Sequence, residues 1–208
     1  MRPAILTALG LLCAFGVSTV RADDIDAYTK EHATRIAVGT CGTCHGPTGV
    51  SEQPKYPRLA GQNANYVVAQ LKAFRSQTRG DADAIGYMWG MSATLEDDTI
   101  DALAQYYAAQ TAGGGRAGGD PAAIGRGKDI YEHGLEAVGV PACAACHGPD
   151  AHGMGDFPRL AGQHAQYMLK QLNSFQSNMR KVAVMHGVAQ GMKQQEMEAV
   201  ALYLQAQR

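Results

Sequence analysis

The sequence predicts an all-α protein built from two tandem copies of one small helical domain, and three observations carry that prediction. Pro57-Arg58-Leu59-Ala60-Gly61-Gln62 recurs as Pro158-Arg159-Leu160-Ala161-Gly162-Gln163. Tyr66, Gln70, Leu71, Phe74, Ser76 and Arg79 recur as Tyr167, Gln171, Leu172, Phe175, Ser177 and Arg180, all at a constant offset of 101 residues. Apolar residues in each copy fall at helical spacing, and no stretch of useful length alternates as a strand would.

The first segment, residues 1–22, has the layout of a cleaved secretory signal. Met1-Arg2-Pro3 is followed by an apolar run from Ala4 to Val17, then by Val20-Arg21-Ala22 and the acidic pair Asp23-Asp24. The run is short for a membrane span, and no second one follows. Cys13 is expected to leave with the leader, because Leu12 stands where a lipoprotein site takes a small residue. Cleavage after Ala22 leaves 186 residues, enough for two domains of about ninety residues each. Domains of that size bury little core and call for a supplement.

The first domain is assigned to residues 23–112. Tyr66, Val67, Leu71 and Phe74 mark one helical face, and Ile100, Leu103, Ala104 and Tyr107 mark a last one. Residues 113–120 are Gly-rich and read as a linker. Asp120-Pro121 then looks like an N-cap with proline at the first helical position, so the second domain is assigned to residues 121–208. Its faces repeat: Tyr167, Met168, Leu172 and Phe175, then Met197, Val200, Ala201 and Leu204.

Formal charge is −1 overall, with no basic run or stripe, which argues against nucleic acid as a partner. Residues 23–112 carry a net −4 and residues 113–208 a net +1. Such a dipole can orient docking on a charged partner, although two solvated faces would look the same.

Beyond the leader, four cysteines remain, as Cys41-Gly42-Thr43-Cys44-His45 and Cys143-Ala144-Ala145-Cys146-His147. Each is a C-x-x-C-H haem-attachment motif. Two thiols one helical turn apart can reach the two vinyl groups of one haem, and the adjacent imidazole then faces the iron. A zinc site, a redox dithiol or a plain disulfide leaves the histidine unexplained, and two motifs in register within a repeat make those readings poor ones. Two haem c groups are therefore expected, with covalent attachment at Cys41, Cys44, Cys143 and Cys146 and iron ligation by His45 and His147.

The sixth ligand separates a carrier from a catalyst, because a filled iron passes electrons whereas an open one can bind substrate. Aligning the last helices at an offset of 97 residues puts Tyr106 on Tyr203, Leu95 on Met192 and Met88 on Met185. Met88 and Met185 are the expected distal ligands. Met91 pairs with Val188, which cannot ligate; Met192 reads as core; His186 pairs with Trp89. Met154, Met168, Met179 and Met197 read as packing residues. His32, His133, His152 and His164 read as surface or hydrogen-bonded side chains.

Pro57 and Leu59, with Pro158 and Leu160, follow each motif by about a dozen residues and suit a loop folded over the proximal face. There the proline carbonyl can accept a hydrogen bond from the second nitrogen of His45 or His147. Arg58 and Arg159 are candidates for pairing with haem propionates.

On these residues the chain resembles the dihaem cytochrome c4 family over essentially the whole length that follows the leader. The family pattern is C-x-x-C-H-G-P, then P-[RK]-L-[AG]-G-Q, then a methionine seven residues before the first apolar position of the final helix. It is met at Cys41 to Pro47, Pro57 to Gln62 and Met88, and again at Cys143 to Pro149, Pro158 to Gln163 and Met185. The resemblance implies two class I cytochrome c domains related by a pseudo-twofold axis, His/Met-ligated haems close enough for fast exchange, and donation to a terminal oxidase. One departure stands out: Gly127 and Tyr131 occupy the opening helix of the second domain, whereas the first has Thr34 to Val38 without a glycine.

The expected function is that of a periplasmic dihaem electron carrier, not an enzyme, serving redox proteins such as a membrane oxidase or reductase, with peripheral membrane association open. The alternatives are the cytochrome subunit of a flavoprotein sulfide dehydrogenase, and a dihaem peroxidase or oxidase.

Overall fold

Helices account for the regular structure of a computed structural model that describes residues 25–116 and 118–208. The leader assigned to residues 1–22 lies outside the described residues. Asp26 opens α1 (Ala27–Arg35) by accepting the Thr29 N–H at 2.7 Å. The helix then widens into a π-turn, Ile36–Cys41, and continues into the single turn α2, Gly42–His45. After a loop come α3 (Ala64–Arg75), a second π-turn at Ala84–Met88, α4 (Trp89–Ser92) and α5 (Asp97–Ala108).

The second copy repeats the plan with α6 (Pro121–His133), α7 (Ala144–His147), α8 (Ala165–Gln176), α9 (Ala183–Gln190) and α10 (Gln194–Ala206). Asp120 caps α6 through the N–H groups of Ala122 and Ala123. Among the described residues there is no strand, only an isolated bridge between Leu135 and Val140. No described helix is long and apolar enough to cross a membrane.

In each copy the first helix lies across the last. Gly127 makes this crossing possible in the second: a Cβ there would sit 2.0 Å from the Ala199 carbonyl oxygen. The first copy solves the same problem with alanine. Ala33 and Ala37, both fully buried, face Leu103 and Tyr107 of α5. The missing glycine in Thr34 to Val38 therefore does not prevent the contact. The two halves also reverse an aromatic contact. Tyr107 of α5 reaches back to the Ala37 carbonyl at 3.5 Å, whereas in the second copy Tyr131 of α6 reaches forward to the Gly148 carbonyl at 2.5 Å.

The apolar core of the second half includes Ile130, Tyr131, Met168, Phe175, Met192, Met197 and Leu204. Met192, Met168 and Met197 are thus core residues. Met154 and Met179 are not: they lie in loops, outside any helix face, and are 47% and 49% exposed.

The Gly-rich stretch that joins α5 to α6 is not slack. Arg116 N–H donates to the Gln205 carbonyl at 3.0 Å. A Cβ on Gly115 would stand 2.3 Å from the Gln207 oxygen. Glycine is needed there because the strap runs hard against the end of α10.

Candidate functional site

Each C-x-x-C-H motif forms a single helical turn, α2 or α7, which ends on its histidine because the next residue is a glycine at positive φ: Gly46 at 78° and Gly148 at 82°. A Cβ on Gly46 would meet the Val50 carbonyl oxygen at 2.6 Å. The chain thus turns back over the histidine. Leu59 and Ala60 N–H groups both donate to the Gly49 carbonyl, and Leu160 and Ala161 N–H groups both donate to that of Ala151. Leu59 and Leu160 pack their side chains on the two cores.

This fold of the loop brings a proline carbonyl onto each imidazole. His45 Nδ1 donates to the Pro57 oxygen at 2.8 Å, and His147 Nδ1 donates to the Pro158 oxygen at 3.0 Å. With Nδ1 carrying the proton, the Nε2 lone pair is left for a metal, and the carbonyl raises ligand basicity. Burial holds both imidazoles below their ordinary pKa, in the neutral form that can coordinate. An aromatic ring stands edge-on to each: Tyr56 at 6.2 Å from His45 and Phe157 at 5.9 Å from His147. Sequence reasoning passed over this pair, although the signal was present as an aromatic residue before each proline.

The four thiols are unpaired. Burial pushes the Cys143 thiol up to about 11 and raises that of Cys41. A redox dithiol works through a depressed pKa, so this environment argues against that chemistry.

Met88 ends the second π-turn and Met185 lies in α9, both partly buried. The residue after each ties the segment to the main chain beside the preceding long helix. Trp89 Nε1 donates to the Arg79 carbonyl at 2.7 Å, and His186 Nδ1 donates to the Phe175 carbonyl at 2.7 Å. His186 is thus held by the backbone, and Met91 is 46% exposed.

Comparison with known proteins agrees with this geometry. The sequence profile of the family described as Cytochrome c matches residues 31–109 and 124–208. Cytochrome c4 of Stutzerimonas stutzeri is 36% identical over 179 residues, which cover 81% of this chain and 84% of that one. The chain belongs to the dihaem cytochrome c4 family. The cytochrome c4 structure of Acidithiobacillus ferrooxidans is similar at a TM-score of 0.75 and 40% identity, covering 80% of this chain and 97% of that one. A Stutzerimonas stutzeri protein named thiosulfate dehydrogenase electron acceptor is 38% identical over 188 residues, covering 88% of this chain and 85% of its own. As a cytochrome c4 relative with two cytochrome c domains, the protein is an electron-transfer protein with two covalently bound haem c groups.

The seam between the two domains of this cytochrome is polar and nearly twofold. Gln62 Oε1 accepts the Arg159 N–H at 2.8 Å while its Nε2 donates to the Arg159 carbonyl at 3.0 Å. Gln163 does the same to Arg58, at 2.9 Å for both bonds. Deeper in the seam, Gln70 Oε1 accepts from Arg79 at 2.7 Å and from Arg180 at 2.9 Å. Gln171 Oε1 accepts from Arg79 at 2.8 Å and from Arg180 at 2.9 Å. Tyr167 and Tyr66 hydroxyls accept from Arg79 and Arg180 respectively.

The guanidinium groups named from the sequence diverge. Arg58 donates from Nε to the Ser51 carbonyl and from Nη1 to the carbonyls of Gly114 and Gly162. It thereby fastens the strap to both halves. Arg159 keeps a buried Nε with no acceptor among the described residues, and burial lowers its pKa. A half-buried guanidinium with no carboxylate beside it suits an anionic group such as a haem propionate, so the residues present fit the cofactor.

His164 lies fully inside the seam and donates from Nε2 to the Ser51 carbonyl of the other domain at 3.0 Å. Burial first, then the nearby Arg58 and Arg116, lower its pKa in the folded chain. The folded state binds fewer protons there than the unfolded chain, whose histidine titrates near about 6.5. Its contribution to stability is present above about 6.5 and is lost as the pH falls through the lower folded value. The unfolding free energy is expected to drop with acidification, and His164→Asn to flatten that slope in denaturant titrations. An unchanged slope would remove His164 as the cause.

Proposed function

We propose that the chain is a periplasmic electron carrier in which each domain holds one six-coordinate haem: Cys41, Cys44, His45 and Met88 in the first, and Cys143, Cys146, His147 and Met185 in the second. The observation that carries this reading is the pair of His Nδ1 to proline carbonyl hydrogen bonds at 2.8 and 3.0 Å, the same in both halves. When bound, haem supplies a one-electron ferric/ferrous couple. His45 and His147 would each hold an iron through Nε2, Pro57 and Pro158 keep their rings and tautomer, and Met88 and Met185 would supply the second protein ligand and leave no place for substrate. Methionine ligation places the potential at the high end of the c-type range, which suits donation to a terminal oxidase. The leader pattern of residues 1–22 supports export to the periplasm.

A second reading concerns the donor. The likeness to a protein named thiosulfate dehydrogenase electron acceptor supports reduction by an enzyme that oxidises sulfur compounds, with onward transfer unchanged.

The ferric optical spectrum tests the ligation. Two methionine-to-iron charge-transfer bands per chain in the far red are expected, with no high-spin component. Met88→Ala and Met185→Ala should each remove half of that intensity and create one high-spin haem. A high-spin haem in the unaltered protein, or full intensity in either variant, would overturn the assignment.

A further inference from the structure

One lysine ties together two segments of the first domain that the proposed ligation places on opposite sides of the iron. Lys55 Nζ donates to the Tyr87 hydroxyl at 2.8 Å and stands over two rings, 4.5 Å from the centroid of Tyr87 and 5.5 Å from that of Tyr56. Tyr56 is the residue edge-on to His45, and Pro57 beside it holds the imidazole. Tyr87 directly precedes Met88. Among the described residues this is the only hydrogen bond between the loop 46–61, which carries Pro57, and the turn Ala84–Met88.

That turn needs a tie more than its counterpart does. It is a single π-turn of five residues with Gly86 at its centre, where the backbone is freest, whereas Met185 sits in the eight-residue helix α9. Both copies anchor the residue after the methionine, through Trp89 or His186. The first copy also anchors the residue before it. At the corresponding places the second copy has Asp156, 101 residues after Lys55, and Val184, 97 residues after Tyr87. Asp156 turns to the seam instead and accepts from Asn65 Nδ2 at 2.9 Å.

We propose that Lys55 is a positioning residue for the first centre: by joining the proximal loop to the distal turn it holds Met88 in place and keeps small ligands from taking its position. This rests on the ligation proposed above. A methionine gives way to an added ligand when the segment that carries it swings out, and such local openings are governed by the few contacts that hold the segment. Lys55 supplies two of them, a charge-assisted hydrogen bond and a cation set over a ring.

Imidazole added to the ferric holoprotein tests it, with displacement followed in the far-red bands and each site assigned by the paramagnetic proton signals of the Met88 and Met185 methyl groups. Lys55→Ala should speed the displacement of Met88 by about twofold to fivefold, the worth of an exposed cation–π contact, and leave that of Met185 unchanged. Tyr87→Phe, which keeps the ring and loses the hydroxyl, should fall between Lys55→Ala and the unaltered protein. Lys55→Arg should keep the slow rate, because a guanidinium can make both contacts. Met185 is the reference within the same molecule, since a general loosening of the fold would speed both sites. An unchanged rate at Met88 in Lys55→Ala, equal acceleration at both sites, or a fast rate in Lys55→Arg would overturn the proposal. Both far-red bands must be present before imidazole is added; a band missing at that stage overturns the ligand assignment itself, and the role of Lys55 with it.

Discussion

Gly127→Ala is expected to lower the stability of the second domain by about 3 kcal/mol, the upper end of ordinary overpacking. The added methyl would stand 2.0 Å from the Ala199 oxygen and 2.9 Å from the Tyr203 Cβ, both on α10. Neither is the free end of a flexible side chain, so α6 must lift away from α10 and uncover Tyr131 and Met197. At about 4 °C per kcal/mol for a domain of this size, the melting temperature should fall by about 12 °C. Gly125→Ala is the control. It lies on the same helix with nothing within 4 Å, and alanine there should gain about 0.8 kcal/mol of helix propensity. Equal melting of the two variants would mean that the crossing is not close-packed.

Arg79→Leu is expected to cost about 3 to 5 kcal/mol, the range for breaking a buried ion pair from one side. It strands the Asp81 carboxylate, which is 1% exposed and accepts from Arg79 Nε at 2.7 Å. Burial works against that charge, and Arg79 first, with Arg180 and the Gln171 amide, outweighs burial and holds the carboxyl below its usual pKa. Arg180→Leu removes a guanidinium that has no carboxylate of its own, although Gln70, Gln171 and Tyr66 all lose a donor. The expected order in denaturant unfolding is therefore Arg79→Leu well below Arg180→Leu, and both below the unaltered chain. The same midpoint for both would mean that Asp81 finds solvent or another cation when Arg79 is gone.

Much of this architecture was legible in the residues. The repeat of Pro57 to Gln62 at Pro158 to Gln163 announced two copies of one unit, and the helical spacing of Leu71 and Phe74, or Leu172 and Phe175, announced its class. The carbonyl partner of each C-x-x-C-H histidine could be named from the proline a dozen residues on, because loop length and ring geometry leave few acceptors. The crossing of α1 and α5 was not legible. The first copy reaches Cys41 through a continuous π-widened helix, whereas the second inserts Leu135 to Val140 before Cys143, so a search at equal distance from the motif misses Ala33.

The seam was the least legible part. Gln62, Gln70, Arg79 and their counterparts were visible as repeated residues, but repetition says only that each copy needs them. Nothing in a single copy shows that Gln62 serves the backbone of Arg159, or that Arg79 bonds to Gln171, because those bonds depend on how two units face each other. Arg58 shows the same limit. A charged residue next to the proximal proline suited a propionate partner, yet its guanidinium bridges three main-chain carbonyls that come together only when both domains and the strap are in place.

Pro57 and Arg58 are consecutive, and so are Pro158 and Arg159. The first member of each pair grips the imidazole of its own domain, while the N–H and carbonyl of the second are gripped by a glutamine of the other. Each proximal histidine is therefore one peptide unit away from the opposite half of the molecule. Neither imidazole has a private foundation, because the loop that holds each one is itself held by the other half.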